Sequence, residues 1–357
     1  MVLESPGRLI LRELPLPDIG DEDALLRVEA CGLCGTDHEQ YSGALPAGFA
    51  FIPGHESVGI IDRIGERASE RWGVVEGDRV AVEVFQSCRR CDQCTKGEYR
   101  RCQHHGLRDM YGFIPVEQSP CLWGGFATYQ YLAPDSMVLP VPSALDAVNA
   151  TLFNPLGAGI RWGRTLPETA SGDVVAVLGA GVRGLCTLVG AREAGAGFVM
   201  VTGSGSNDGP RLEMASRFGA DLVVDVARAD PVAELLRATG RLADVVVDVT
   251  AKAPAAFAQA IALARPAGTV VVAGTRGTAE TPTFNPDHIV FKELRLLGAL
   301  GVDSLAYASA LELLASTRYP FDSLPHEVVS LAGLEELLVA MSGDGARKPP
   351  LHGVLVP

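Results

Sequence analysis

Over roughly its first 140 residues the chain alternates short apolar runs with Gly, Pro and Asp. Residues 24–30 (Ala-Leu-Leu-Arg-Val-Glu-Ala), 58–64 (Val-Gly-Ile-Ile-Asp-Arg-Ile) and 78–84 (Asp-Arg-Val-Ala-Val-Glu-Val) are examples. Runs of this length bounded by turn residues predict strands of an all-β barrel or sandwich with long functional loops. The pattern changes near residue 154. Segments 173–178, 198–202, 222–226, 244–249 and 269–273 are near-continuous in apolar residues, and between them lie the helical stretches 185–194, 211–218, 231–239 and 255–264. A strand covered on both faces reads as an unbroken apolar run, so this alternation predicts a parallel sheet flanked by helices. After about residue 287 the pattern is mixed again. The last seventy residues are too few for a separate domain and are expected to rejoin the first. The expected division is therefore 1–153 with 288–357, and 154–287 between them.

Composition narrows the function classes. The chain has 357 residues, 47% hydrophobic and 20% charged, with a net charge of −13. An acidic balance without a Lys/Arg block argues against nucleic acid as a partner. The N-terminal Met-Val-Leu-Glu-Ser-Pro-Gly-Arg lacks a basic-then-apolar signal pattern, and no apolar run approaches the ~20 residues that span a bilayer. Eight cysteines cluster instead of spreading as a disulfide framework, which suits a reducing cytoplasm. Cys31, Cys121 and Cys186 read as small core residues.

The other cysteines carry chemistry. Cys88, Cys91, Cys94 and Cys102 fall within fifteen residues. Four thiolates can close a tetrahedral Zn²⁺ shell with no open position, and such a site holds structure. The intervening 95–98 (Thr-Lys-Gly-Glu) has no apolar material for a core of its own, so a metal would stabilise it. A disulfide pair and an iron–sulfur cluster are the competing readings. Ferredoxin-type runs place a fourth cysteine three residues on, followed by Pro, which this chain lacks. Upstream stand Cys31-Gly-Leu-Cys34-Gly-Thr36-Asp37-His38-Glu39 and Gly54-His55-Glu56. One Cys, one His and a nearby carboxylate are the ligand types of an open, catalytic Zn²⁺.

Gly179-Ala-Gly181-Val182-Arg183-Gly184 follows a predicted strand and opens a predicted helix. Glycines there let the backbone approach a pyrophosphate whose charge rests on the helix N-terminus, so the segment predicts dinucleotide binding. The next strand should end in an acid that holds the adenosine ribose. Instead it ends Thr202-Gly203-Ser204-Gly205-Ser206-Asn207-Asp208. A small Gly-Ser loop leaves room for a 2′-phosphate that Arg211 or Arg183 could approach, while Asp208 could fold back. The expectation is NAD(P), leaning to NADP.

These motifs in this order, with Gly124-Gly-Phe-Ala-Thr-Tyr129 between them, resemble the zinc-dependent medium-chain alcohol dehydrogenases, including the sorbitol and threonine dehydrogenase branches. The resemblance runs over essentially the full length. It implies a GroES-like β-barrel formed by both chain ends, a lobe at 88–102, and an inserted Rossmann domain. It further implies that Cys34 and His55 ligate a catalytic zinc, that Glu56 lies beside the ion, and that Thr36 hydrogen-bonds the substrate oxygen and passes on its proton. The family's third ligand is a Cys, Glu or Asp before a Pro-Leu pair. Here that residue is Asn154, whose neutral oxygen is a weaker Zn²⁺ ligand. Where many members place a relay histidine three residues after the Thr, this chain has Glu39, with His38 as neighbour.

The implied reaction is reversible oxidation of an alcohol to a ketone or aldehyde with hydride transfer to the nicotinamide. Val84, Tyr111 and Trp123 are candidate substrate-lining residues. The segment near 294–300 resembles the one through which family members pair, so a homodimer or homotetramer is expected. Two other readings stay open: a zinc-independent reductase of the same superfamily, and a cofactor-binding protein that lost catalysis with its third ligand. The four-cysteine lobe and Gly-His-Glu argue against the first, and only Asn154 favours the second.

Overall fold

A computed structural model describes residues 1–205, 208–251, 253–277, 284–343 and 347–357. The chain forms two compact units, Met1–Asn154 with Asp303–Pro357, and Pro155–Val302.

In the first unit the strands predicted from short apolar runs assemble one seven-stranded sheet. Its path is His326–Val329, His352–Leu355, Ala24–Leu33, Glu56–Ile64, Arg79–Val82 and Val138–Pro140, with Tyr129–Leu132 paired to Ala24–Leu33. All pairings are antiparallel except His326–Val329 with His352–Leu355. The two C-terminal strands thus join the N-terminal ones, as the mixed tail predicted. Leu25, Leu26, Ile61, Val80, Phe126 and Leu132 are fully buried in its core. Each such side chain contributes about 1.5–3 kcal/mol relative to exposure.

Tyr111 and Trp123 belong to that same core. Tyr111 bonds Ser136 Oγ and Trp123 donates to the Gln118 carbonyl. Val84 packs with Phe85 and Tyr99 in a separate small cluster. All three are buried within the first unit. Cys31 and Cys186 are fully buried, as expected, whereas Cys121 is only half-buried.

The second unit holds a six-stranded, wholly parallel sheet in the order Leu222–Asp225, Phe198–Gly203, Val174–Leu178, Ala243–Asp248, Ala264–Val272, Arg295–Gly298. In chain order this is 3-2-1-4-5-6, the doubly wound Rossmann arrangement. Its direction reverses between the first and fourth strands, the switch point at which such sheets bind ligands. The second boundary falls at 302/303 and not at 287/288. Arg295–Gly298 is the reason: it pairs in register with Thr269–Val272, so the chain leaves the sheet only after it. It is an edge strand and largely exposed, and therefore lacks the continuous apolar run that marks its neighbours.

Candidate active site

Cys34 stands at the junction between strand Ala24–Leu33 and helix Gly35–Ser42, as the N-cap of that helix. Its sulfur accepts the Thr36 backbone N–H (3.3 Å), and its own N–H donates to Asp37 Oδ2 (2.8 Å). This reciprocal capping satisfies helix donors that would otherwise be orphaned, and it fixes the direction of the thiol. His55 follows Gly54, whose φ of +90° favours glycine. A Cβ there would also lie 2.4 Å from Phe126 Cδ1. Glu56 opens the next strand opposite Gly32, where a Cβ would stand 2.4 Å from Glu56 Oε2. Gly32 therefore makes room for Glu56, and Gly54 lets the chain pass Phe126 just before His55.

The result is a buried triad. One ligand atom from each of Cys34, His55 and Glu56 lies within 4.8 Å of the others, and Cys34 Sγ is 3.1 Å from His55 Nε2. Asp37, which is 1% exposed, sits behind the imidazole, with Oδ1 3.4 Å from His55 Nδ1. Neither of these two atoms has a hydrogen-bond partner among the described residues. Burial would lower the His55 pKa. The Cys34 and Asp37 charges outweigh it and hold the ring's pKa well above its ordinary value. One sulfur, one imidazole nitrogen and one carboxylate fit Zn²⁺ and leave a fourth position open. A carboxylate on the far ring nitrogen is the usual support for a metal-bound histidine. Asp37 was not among the residues singled out from the sequence, although its place three residues after Cys34 carried a capping signal.

The remaining expected residues are distributed unevenly. Thr36 lies in the first turn beside Cys34. Three residues along a helix return to nearly the same face, so Glu39 shares the side of Thr36. Two residues turn about 200°, so His38 does not. His38 is buried and bonds the Leu338 carbonyl through Nδ1 at 2.9 Å. Asn154, 3% exposed in helix Phe153–Ile160, donates through Nδ2 to the Tyr307 hydroxyl (2.9 Å).

Cys88, Cys91, Cys94 and Cys102 also converge, with their sulfurs within 4.8 Å of one another. Cys88–Cys94 and Cys91–Cys102 are 3.8 and 4.0 Å apart, and all four are free thiols. A tetrahedron with Zn–S bonds of about 2.3 Å has edges of about 3.8 Å, whereas a disulfide needs about 2.05 Å. The donor set fits a closed structural zinc and excludes the disulfide reading. Tyr99 ties this lobe to the sheet by donating to the fully buried Glu83 (2.6 Å), and burial raises the Glu83 carboxyl to about 8.

In the second unit the three glycines divide the dinucleotide task. Gly179 turns the chain with φ +111°, after strand Val174–Leu178. Gly181 caps helix Val182–Glu193 and faces open space, so a phosphate can reach its backbone. A Cβ on Gly184 would lie 1.8 Å from the Gly179 carbonyl oxygen, so only glycine lets helix and strand pack this closely. Val182 and Arg183 form the first turn of that helix, with Arg183 stacked on Trp162 at 5.5 Å. At the end of the second strand, beside Gly203, Asp208 does fold back. Its Oδ2 accepts the Ser204 N–H (2.7 Å) and its Oδ1 pairs with Arg211 (3.3 Å). Ser206 and Asn207 lie outside the described residues.

Residues 20–143 match the Alcohol dehydrogenase GroES-like domain family, and residues 183–316 match the Zinc-binding dehydrogenase family. A Mycobacterium tuberculosis protein named "Probable alcohol dehydrogenase adh" is 69% identical over 100% of this chain and 98% of its own. The chain belongs to the zinc-dependent medium-chain alcohol dehydrogenase family. As a member of that family it is an NAD(P)-dependent oxidoreductase acting on alcohols. An erythritol/L-threitol dehydrogenase of Mycolicibacterium smegmatis is 30% identical over 91% of this chain and 88% of its own. Among solved structures, a zinc-binding dehydrogenase of Sinorhizobium meliloti bound to NADP has a TM-score of 0.84 at 28% identity, covering 100% of this chain and 98% of that one. The Rossmann and GroES-like assignments agree with this membership. No described helix is long and apolar enough to cross a membrane.

Proposed function

We propose that this alcohol dehydrogenase oxidises a polyol or other secondary alcohol reversibly to the ketone, with Cys34, His55 and Glu56 as its catalytic metal ligands. The convergence of those three donor atoms within 4.8 Å carries the reading. Bound there, zinc supplies a Lewis acid that lowers the pKa of an alcohol, and the nicotinamide supplies the hydride acceptor. The chain's own residues do the rest. Asp37 holds the His55 ring so that Nε2 faces the ligand position. The Thr36 hydroxyl accepts the substrate proton and Glu39, on the same helix face, takes it onward to solvent. His38 is assigned to packing, because it is buried and its Nδ1 bonds the Leu338 carbonyl. Asn154 orders the Tyr307 hydroxyl and is not needed as a ligand once Glu56 is close. Cys88, Cys91, Cys94 and Cys102 hold the structural zinc.

Gly179, Gly181, Val182, Arg183 and Gly184 receive the pyrophosphate, and Gly203 and Ser204 the adenosine ribose. Asp208 opposes a 2′-phosphate and takes up Arg211, so we propose NAD as the preferred form. NADP is the second reading, favoured by Arg211 and by the NADP-bound relative. The exposed edge strand Arg295–Gly298, with Leu296, Leu300, Val290 and Phe291 exposed around it, supports a homodimer or homotetramer formed along that edge. Eight free cysteines support a cytoplasmic setting.

The test is a panel of polyols, secondary alcohols and ketones with NAD and NADP, run beside zinc analysis of the same sample. Two zinc ions per chain, turnover of a secondary alcohol, and a folded but inactive Cys34→Ser variant are expected. An active Cys34→Ser protein overturns the reading. One zinc per chain with reductase activity selects the zinc-independent alternative, and dinucleotide binding without any turnover selects the catalytically weakened one.

A further inference from the structure

A chain of hydrogen bonds in the first unit ends on a buried atom with nothing to bond. Asp146, exposed at the N-cap of helix Ala147–Ala150, accepts the Asn149 backbone N–H at Oδ1 (2.9 Å) and the Asn149 side-chain Nδ2 at Oδ2 (2.7 Å). The amide is thereby oriented: its nitrogen faces the carboxylate, and its oxygen faces His326 Nε2 at 2.9 Å. An amide oxygen only accepts, so His326 carries its proton on Nε2. The ring's other nitrogen, Nδ1, is then an acceptor, and it lies 2.9 Å from His352 Nδ1. That atom must be the donor. His352 is left as the Nδ1–H tautomer with a bare lone pair on Nε2. This nitrogen is buried and has no partner among the described residues, in a side chain only 2% exposed. Burial lowers the pKa of both histidines, to about 3 for His352, where the neighbouring His326 adds to the effect. Both rings are therefore neutral at neutral pH, as this chain of bonds requires.

The sheet register says where that lone pair belongs. Glu56 pairs with Gly32, and Gly32 with Val354. At Gly32 the Cβ direction meets the Glu56 carboxylate, so this row faces the metal triad. Side chains two residues apart share a face. One step along, His352 on that face pairs with His326, and the register Gly353↔Leu33, continued by one residue, sets it opposite Cys34. His352 Nε2 is not among the atoms gathered with Cys34, His55 and Glu56, so it is no member of the triad; the register alone sets His352 next to Cys34 on the same face.

We propose that His352 Nε2 is a ligand-positioning acceptor: it receives a hydrogen bond from a hydroxyl of the bound ligand, one that is not itself oxidised. This deepens the proposed function and rests on it. A buried acceptor costs stability until something donates to it, and a hydroxyl-bearing ligand is the donor such a site selects. An amide cannot pass a proton along as these bonds run, so the chain from Asp146 orients the ring and does not conduct protons. The hydroxyl that fits is a further one of a polyol bound at the triad.

The experiment compares His352→Leu and His352→Gln with wild type, using threitol and 2-butanol as substrates. KM for threitol should rise about tenfold in His352→Leu at little-changed kcat while 2-butanol is unaffected; one hydrogen bond is worth about that much. That result supports the assignment when His352→Gln, which keeps an acceptor oxygen, recovers most of the loss. A threitol/2-butanol KM ratio within twofold of wild type overturns it, as does a loss shared equally by both alcohols. Long-range ¹⁵N–¹H spectra of the wild-type protein decide the case even if the variants misfold. An unprotonated Nε2 that shifts on adding threitol to the dinucleotide-loaded protein is expected; a protonated Nε2, or no shift, refutes the proposal. Failure of wild type to oxidise any alcohol would sink the proposed function alone, because the spectra with threitol still test His352.

Discussion

Replacing Asp37 by Asn tests the support of the metal triad with almost no change of shape. Asp37 Oδ2 accepts the Cys34 N–H at 2.8 Å, and the carbonyl of an asparagine would keep that bond. The amide nitrogen would then take the place of Oδ1, 3.4 Å from His55 Nδ1. Facing an N–H, Nδ1 must become the acceptor, and the ring proton moves to Nε2, the atom proposed to ligate the metal. The histidine is held in the wrong tautomer. Removing such outer support costs 10–100-fold in metal affinity, about 1.4–2.8 kcal/mol. The assay is zinc retained per chain after dialysis against graded chelator, with the four-cysteine zinc as internal reference. Asp37→Asn should release one of two zinc ions at roughly 10–100-fold lower chelator strength, at little-changed melting temperature. Equal retention of both ions would refute the assigned role of Asp37.

Three further outcomes follow from the geometry. Glu83 has a folded pKa of about 8 against an ordinary value of 4.5, because burial penalises its charge. Its stability contribution is whole below pH 4.5 and is lost as pH rises towards 8, at about 1.4 kcal/mol per pH unit. Glu83→Gln should therefore melt increasingly higher than wild type between pH 5 and 8, and parallel melting curves would contradict the reading. Gly184→Ala should weaken dinucleotide binding at least tenfold or cost about 1–3 kcal/mol of stability, since its Cβ would meet the Gly179 oxygen at 1.8 Å; calorimetric titration and a thermal melt check this. Asp208→Ser should remove the carboxylate that opposes a 2′-phosphate and move the NADP/NAD ratio of kcat/KM towards NADP by about tenfold, and an unmoved ratio would remove Asp208 from the specificity argument.

Local sequence carried much of this molecule, for identifiable reasons. Val174–Leu178 and its neighbours are buried on both faces, so their apolar runs announce a parallel sheet. The glycine turn is legible because its demands are local: Gly179 takes φ +111°, Gly181 keeps its backbone open, and Gly184 meets the Gly179 oxygen five residues back. The strand near 294–300 is expected, but its membership of the parallel unit escapes because Arg295–Gly298 is an edge strand and mostly exposed. The helix hides other things: the neighbours Asp37 and His38 point to different partners, and only the observed bonds to Cys34 and Leu338 tell them apart. His352 left no local signal at all. It comes opposite Cys34 only through a strand register that joins residues more than 300 positions apart.

The four sulfurs of the 88–102 lobe are spaced for an ion, yet 3.8–4.0 Å is also a short step from covalent joining. A zinc ion held there would act as a spacer that keeps the thiols from reacting with one another. Stripping it in air should let them cross-link, and restoring zinc alone would then not revive the protein. A thiol reductant would have to come first, which makes the lobe sensitive to oxidants whenever its ion is lost.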